Sequence, residues 1–292
     1  MGNSMARNLL KNPEVGGKAS VYVYDINKDS VNKLVSEGAV GAKSVADLAK
    51  HCHTIFTMLP ATAHVRQTLT GPDGVFAHAP KNALIVDSST IDPIASKELI
   101  ETANKHGLEM IDAPVSGGVT GAAAGTLTFM VGGSEETLER ARVFLNAMGK
   151  NIVHCGGAGA GEITKLCNNL ALAISMIGTS EAMALGIRMG MDPKKLAGVM
   201  NTSTGRCWSS DSYNPVPGIL PNVPASRGYT GGFGCALLEK DLTLAMEVAN
   251  ASKARLPLGG QAHQLYGLLC EHGYADKDFS VVFEFLTKNM KK

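Results

Sequence analysis

The 292-residue sequence predicts a doubly wound α/β domain that lacks its first strand, followed by an all-α domain. Three observations carry this. Short β-branched runs alternate with helical stretches from residue 20 to about 155. Those runs are continuous rather than alternating, as expected for parallel strands buried on both faces. After Gly161 the strands stop, and residues 162–189 carry no Pro and only two Gly.

Taken in order, the chain opens with Met1-Gly2 and a helical stretch through Leu10, which read as the tail of a glycine-rich turn with its helix intact and its strand absent. Ser20–Tyr24 is the first visible strand and ends at Asp25. Ser44 and Asp47 form a capping-box pattern. Thr54–Leu59 ends at Pro60, and Ala83–Val86 ends at Asp87. Asp92-Pro93 reads as an N-cap followed by the first helical residue. Glu109–Ile111 ends at Asp112, and Thr126–Val131 ends at Gly132. Ser134, Glu135 and Glu136 place a cap and two carboxylates at the positive end of a helix reaching Met148. The helix over 162–189, roughly 40 Å long at 1.5 Å per residue, leads into the second half. There Asp192-Pro193 opens a helix, a Gly/Pro/Ser-rich loop covers about Ser203–Gly232, and two further helices follow. The expected boundary lies near residue 160, giving domains of 1–160 and 161–292.

Composition narrows the function classes. Lys and Arg number 27 against 26 acids, a net charge of +1 with no basic run, which argues against nucleic acid or a membrane surface as partner. No stretch holds the roughly 20 uninterrupted apolar residues of a membrane span, and no signal or transit peptide opens the sequence. The six cysteines are widely spaced without a CxxC pair, so they read as reduced intracellular thiols rather than a zinc site. His51-Cys52-His53 has the wrong spacing for a metal and reads as a helix end. No metal is expected, and a small-molecule substrate is the better default.

Chemistry is expected at strand ends, where ligands of such sheets bind. Asp25 stands where a dinucleotide fold places an acid on the adenosine ribose, and equally where a plain turn would want one. A carboxylate there would repel a ribose phosphate, and Ile26, Asn27 and Lys28 supply no arginine. Gly161, Lys165 and Asn169, spaced by four, share one helical face. Gly161 would let a ligand approach, Lys165 could exchange a proton, and Asn169 could hold an oxygen; the bland alternative is a solvated Lys-Asn face. Ser116-Gly117-Gly118 at a strand end could cradle a carboxylate with backbone N–H groups, or be a glycine turn. Asp87–Thr90 is a second polar strand end. Phe233 and Lys240 lie seven apart, on one face of a helix if it extends that far.

Together the motifs resemble the β-hydroxyacid dehydrogenase family across essentially the whole chain. The marks are Asp112–Gly118 (DAPVSGG), Thr126–Gly133 (TLTFMVGG), Lys165–Asn169 (KLCNN) and Gly205–Gly218 (GRCWSSDSYNPVPG). The last resembles the hydroxyisobutyrate branch in particular. The resemblance implies a Rossmann-type first domain and NAD-dependent oxidation of 3-hydroxyisobutyrate to methylmalonate semialdehyde, a step of valine breakdown. It implies Lys165 as catalytic lysine, Asn169 as the residue positioning the substrate hydroxyl, and Ser116, Gly117 and Gly118 as the carboxylate grip. Leu59, Pro60, His64, Thr90 and Lys240 correspond to NAD contacts, with Phe233 beside them and Asp25 selecting NAD. A lysine base would need its pKa depressed by desolvation or nearby positive charge. A homo-oligomer is implied, in the mitochondrial matrix of a eukaryote or otherwise the cytoplasm. The family's GLGxMG loop survives here only as Met1-Gly2. A sister activity on another short hydroxyacid such as tartronate semialdehyde, or an impaired relative that binds a partner, stands as the alternative.

Overall fold

A computed structural model describes residues 1–288. The chain divides into two compact units, Met1–Lys165 and Leu166–Lys292, so the division falls inside a helix rather than at its start.

In the first unit the order is α1 (Gly2–Lys11), β1 (Tyr22–Val23), α2 (Lys28–Val35), β2 (Val40–Gly41), α3 (Val45–His51), β3 (Thr54–Thr57), α4 (Thr62–Thr70), α5 (Val75–His78) and β4 (Leu84–Asp87). It continues with α6 (Pro93–Lys105), β5 (Glu109–Asp112), β6 (Val115–Ser116), α7 (Gly118–Ala124), β7 (Leu127–Gly132), α8 (Glu135–Met148) and β8 (Gly149–Gly156). The expected strand runs overlap β1, β3, β4, β5 and β7, the last three running one residue further, while β2, β6 and β8 add to them. Two sheets result. One is the parallel pair β1–β2, and the other is six-stranded, ordered β3-β4-β5-β7-β6 with β8 also on β7. No ladder joins the two among the described residues. The larger sheet is mixed: β3, β4 and β5 run parallel, but β7 is antiparallel to β5 and β6 and parallel to β8. Continuous apolar runs signal burial on both faces, and burial alone does not fix strand direction.

The helix starts follow local chemistry. Asp92 accepts from the amides of Ile94 and Ala95 ahead of Pro93 at the first helical position. Ser134 accepts from the Thr137 amide. Ser44 caps Asp47, but the Asp47 carboxylate turns to the amide of Lys43 rather than closing a box on Ser44. Leu84, Val86, Ile111, Phe129 and Leu138 pack one cluster, and Ile55, Ile85, Leu99 and Met110 another.

From the first unit α9 (Ala160–Arg188) carries the chain into the second, where α10 (Pro193–Asn201), α11 (Trp208–Asp211), α12 (Cys235–Ser252), α13 (Pro257–Leu269) and α14 (Val282–Thr287) follow. The second unit is helical, packed around Met176, Tyr229, Leu238, Leu242, Tyr266 and Phe279. The 29 residues of α9 are long and apolar enough, by length and composition alone, to cross a membrane. Ser175, Gly178, Thr179 and Ser180 interrupt its apolar run, so the property is one of the average and not of any unbroken segment. The Gly/Pro/Ser-rich stretch is not a bare loop. It contains α11 and a 3₁₀ turn at Pro224–Arg227, held by Trp208 stacked on Tyr213 and by the Tyr229 hydroxyl donating to the Pro215 carbonyl.

Candidate active site

The strand ends of the first unit are laced together. At the end of β3, Thr57 Oγ1 donates to Asp87 Oδ1 at 2.7 Å, and the Leu59 amide donates to Ser89 Oγ at 2.9 Å. The Ser89 amide returns to Asp87 Oδ1, and the Asp92 amide to Thr62 Oγ1. The loops carrying Leu59, Pro60 and Thr90 are thereby fixed to one another. His64 sits exposed on α4, and Asp25 is exposed beyond β1 with its Oδ1 taken by the Asn27 amide in a tight turn.

Asp87 and Asp112 face each other in register at the ends of β4 and β5, and both are fully buried. Burial pushes each carboxyl above the ordinary carboxylate range, and the Asp112 charge adds to the effect on Asp87. Hydrogen bonds oppose the rise: Ser89 and Thr57 at Asp87, backbone amides at Asp112.

After β6, Gly117 and Gly118 both take positive φ, +133° and +62°, which a residue with a Cβ would adopt only under strain. Two consecutive positive-φ residues after Ser116, at the start of α7, leave a turn whose amides are not covered by a side-chain cap.

Gly161, Lys165 and Asn169 all lie on the buried side of α9, whereas Ile163 and Cys167 between them are exposed. The face is not a solvated one: Lys165 is 7% exposed and Asn169 1%. Gly161 proves to serve packing rather than ligand access. A Cβ there would run into the Met130 carbonyl and reach within 2.7 Å of Asp112 Oδ2.

In the second unit Asn169 Nδ2 donates to Asp241 Oδ2 at 2.6 Å, and Lys240 Nζ pairs with Asp241 Oδ1 at 3.0 Å. Asp241 is 3% exposed, so one buried carboxylate orients both residues. Sequence reading missed it, although its place directly after Lys240 was a usable signal. Phe233 does not share a helix face with Lys240. The helix starts at Cys235, because Gly234 before it is extended and the Phe233 amide donates out to Asp278 Oδ2 at 2.8 Å. Phe233 instead packs edge-on against Phe279.

Among the described residues no group of three or more His, Cys, Asp or Glu side chains could hold a metal, and all six cysteines are free. A dinucleotide fits the first unit on one observation. The N-terminus of α1 has no side-chain cap and no acid in its first turn, with Gly2 placing no Cβ there, so its amides can receive a phosphate.

Comparison with known proteins agrees with this chemistry. Residues 1–157 match the family described as the NAD binding domain of 6-phosphogluconate dehydrogenase, and residues 159–286 match the "NAD-binding of NADP-dependent 3-hydroxyisobutyrate dehydrogenase". A Dictyostelium discoideum relative named "Probable 3-hydroxyisobutyrate dehydrogenase, mitochondrial" is 53% identical, across 100% of this chain and 89% of its own length. A Bos taurus 3-hydroxyisobutyrate dehydrogenase, also named mitochondrial, is 49% identical across 98% of this chain and 84% of its own. The solved structure of Mycobacterium tuberculosis 3-hydroxyisobutyrate dehydrogenase with L-serine is 40% identical with a TM-score of 0.91, covering 98% of this chain and 95% of that one. With two matched domains and relatives of that identity over nearly its full length, the chain belongs to the 3-hydroxyisobutyrate dehydrogenase family of NAD-dependent oxidoreductases.

Proposed function

We propose that the chain oxidises 3-hydroxyisobutyrate to methylmalonate semialdehyde with NAD. The observation that carries this is the buried pair on α9, Lys165 and Asn169, one turn apart. Lys165 accepts the proton of the substrate hydroxyl. Asn169, turned by Asp241, holds the hydroxyl oxygen so that the proton faces Lys165. Ser116 and the amides around Gly117 and Gly118 grip the carboxylate. NAD, when bound, supplies the hydride acceptor. Leu59, Pro60, His64, Thr90, Phe233 and Lys240 hold it, and Asp25 selects it over its phosphorylated form by charge repulsion. Two unit charges about 4 Å apart cost roughly 4 kcal/mol at an intermediate dielectric.

Because a short chain bearing one carboxylate and a β-hydroxyl meets all these groups, L-serine is a second substrate. The solved relative with L-serine favours that reading. Exposed Leu185, Met189, Met191 and Val199 in the second unit support a homo-oligomer. In a eukaryote, relatives named mitochondrial point to the same compartment for this chain.

The test is Lys165→Ala. Loss of a general acid–base group lowers kcat by about 10²- to 10⁴-fold, with NAD affinity by calorimetry unchanged; near-normal kcat would remove Lys165 from the mechanism. Asp25→Ala should narrow the preference for NAD over NADP, and an unchanged ratio would relieve Asp25 of that role.

A further inference from the structure

The start of α9 poses a question that its own sequence does not answer. A helix leaves its first amides without intrahelical partners, and a Ser, Thr, Asp or Asn at the N-cap ordinarily serves them. Here the preceding residues are Gly156, Gly157, Ala158 and Gly159, none with a polar side chain. The acceptor comes instead from the end of β5. Asp112 Oδ1 accepts from the Gly159 amide at 2.8 Å, and Oδ2 accepts from the Glu162 amide at 3.0 Å. Both oxygens are used and the side chain is fully buried. The absence of a Cβ on Gly132 and Gly161 is what allows the carboxylate so close to the helix. A second tie runs alongside, where the fully buried Glu162 accepts from the Ile91 amide, next to Thr90, at 3.2 Å. The first turn of α9 is thus bound to the ends of β4 and β5, and Lys165 follows three residues after Glu162.

We propose that Asp112 is a positioning residue for Lys165: by capping α9 from the neighbouring strand end it sets the height and rotation of the helix turn that presents the lysine. This rests on the role assigned to Lys165 above. A displacement of about 1 Å in a reacting group can cost about 10²-fold in rate, so the cap acts on turnover without touching substrate.

The experiment compares Asp112→Ala and Asp112→Asn with Lys165→Ala and the parent chain. Asp112→Ala should lower kcat about 100-fold while KM for hydroxyacid and for NAD stays within about threefold. Amide exchange should rise over 159–165 and not through β3 and β4. Asp112→Asn keeps the shape and one acceptor, so it should recover part of both losses, and it carries the test if the alanine variant fails to fold. A purely structural role would lower the melting temperature and raise exchange through the whole unit, leaving kcat of the folded fraction unchanged; that result overturns the proposal. So does parent-like exchange at 159–165 in Asp112→Ala. Should Lys165→Ala remain active, the catalytic reading itself falls; should it be inactive while Asp112→Ala turns over normally, only the positioning role does.

Discussion

The two units bury their acids to different ends. In the first, Asp112 spends both oxygens on backbone amides, and Asp87 takes the Ser89 amide and the Thr57 hydroxyl at a strand end. In the second, Asp241 meets two side chains, Asn169 and Lys240. Asp278 there does both, accepting from the amides of Phe233 and Ser280, from Ser280 Oγ and from the Tyr213 hydroxyl. A carboxylate aimed at amides decides where an element begins. One aimed at side chains decides how functional groups point. Removal of the first kind should therefore act through the element it anchors, on stability or on the groups that element carries, and removal of the second kind on chemistry directly.

The largest effect is expected at Asp278. Asp278→Ala strands two amides and two hydroxyls in the core of the second unit, and each unsatisfied buried group costs about 1–3 kcal/mol. The loss should total at least about 3 kcal/mol, read as a lower denaturant midpoint and faster exchange over Phe233–Leu242. A midpoint unchanged from the parent would show that this acid is not an anchor.

Next comes Asp241→Asn, the sharpest contrast. It keeps the volume but removes the charge that holds Asn169 and Lys240, and a hydrogen bond to a charged group contributes about 1.5–3 kcal/mol. A drop in kcat/KM of about tenfold or more with little change in melting temperature is expected. If melting temperature falls and kcat/KM does not, Asp241 belongs with the structural acids.

The smallest effect is a pH dependence at Asp87, whose Oδ2 has no hydrogen-bond partner among the described residues. Its folded pKa is raised by burial, so the folded state binds more protons than the unfolded one above the unfolded value of about 4. Stability from this group is complete below that value and declines as pH rises through the folded pKa. Asp87→Asn removes the charge, so its melting temperature relative to the parent should climb as pH rises above the unfolded value, by roughly 2–4 °C for each kcal/mol recovered. A pH-independent difference would mean that Asp87 is not titrating there.

Much of this was legible in the sequence wherever the signal is local. The caps at Asp92, Ser134 and Asp192 stand where residue type and spacing put them, since a cap reads only its next three residues. Strands β3, β4, β5 and β7 were visible as apolar runs. Strands β2 and β6, of two residues each, carry no periodicity to read, and β8 is largely unburied, so its composition lacks the apolar run that betrays a core strand. The four-residue spacing of Gly161, Lys165 and Asn169 fixed their common face, but not what Gly161 meets, because its neighbours come from Asp112 and Met130. Asp112 and Asp241 escaped for the same reason. The amides that Asp112 meets and the Asn169 that Asp241 meets lie 47 to 72 residues away, and the one local hint was Lys240 beside Asp241.

Trp208 is the single tryptophan of the sequence, half exposed and stacked on Tyr213 at 4.6 Å between ring centroids. It lies in the second unit, in the segment that marks the hydroxyisobutyrate branch. Tryptophan emission is therefore an optical readout of that unit alone, and Tyr213, bonded to Asp278, makes it sensitive to the anchor beneath. Far-ultraviolet dichroism sums the helices of both units, so a melt followed by the two signals together separates loss of the sheet from loss of the helical core.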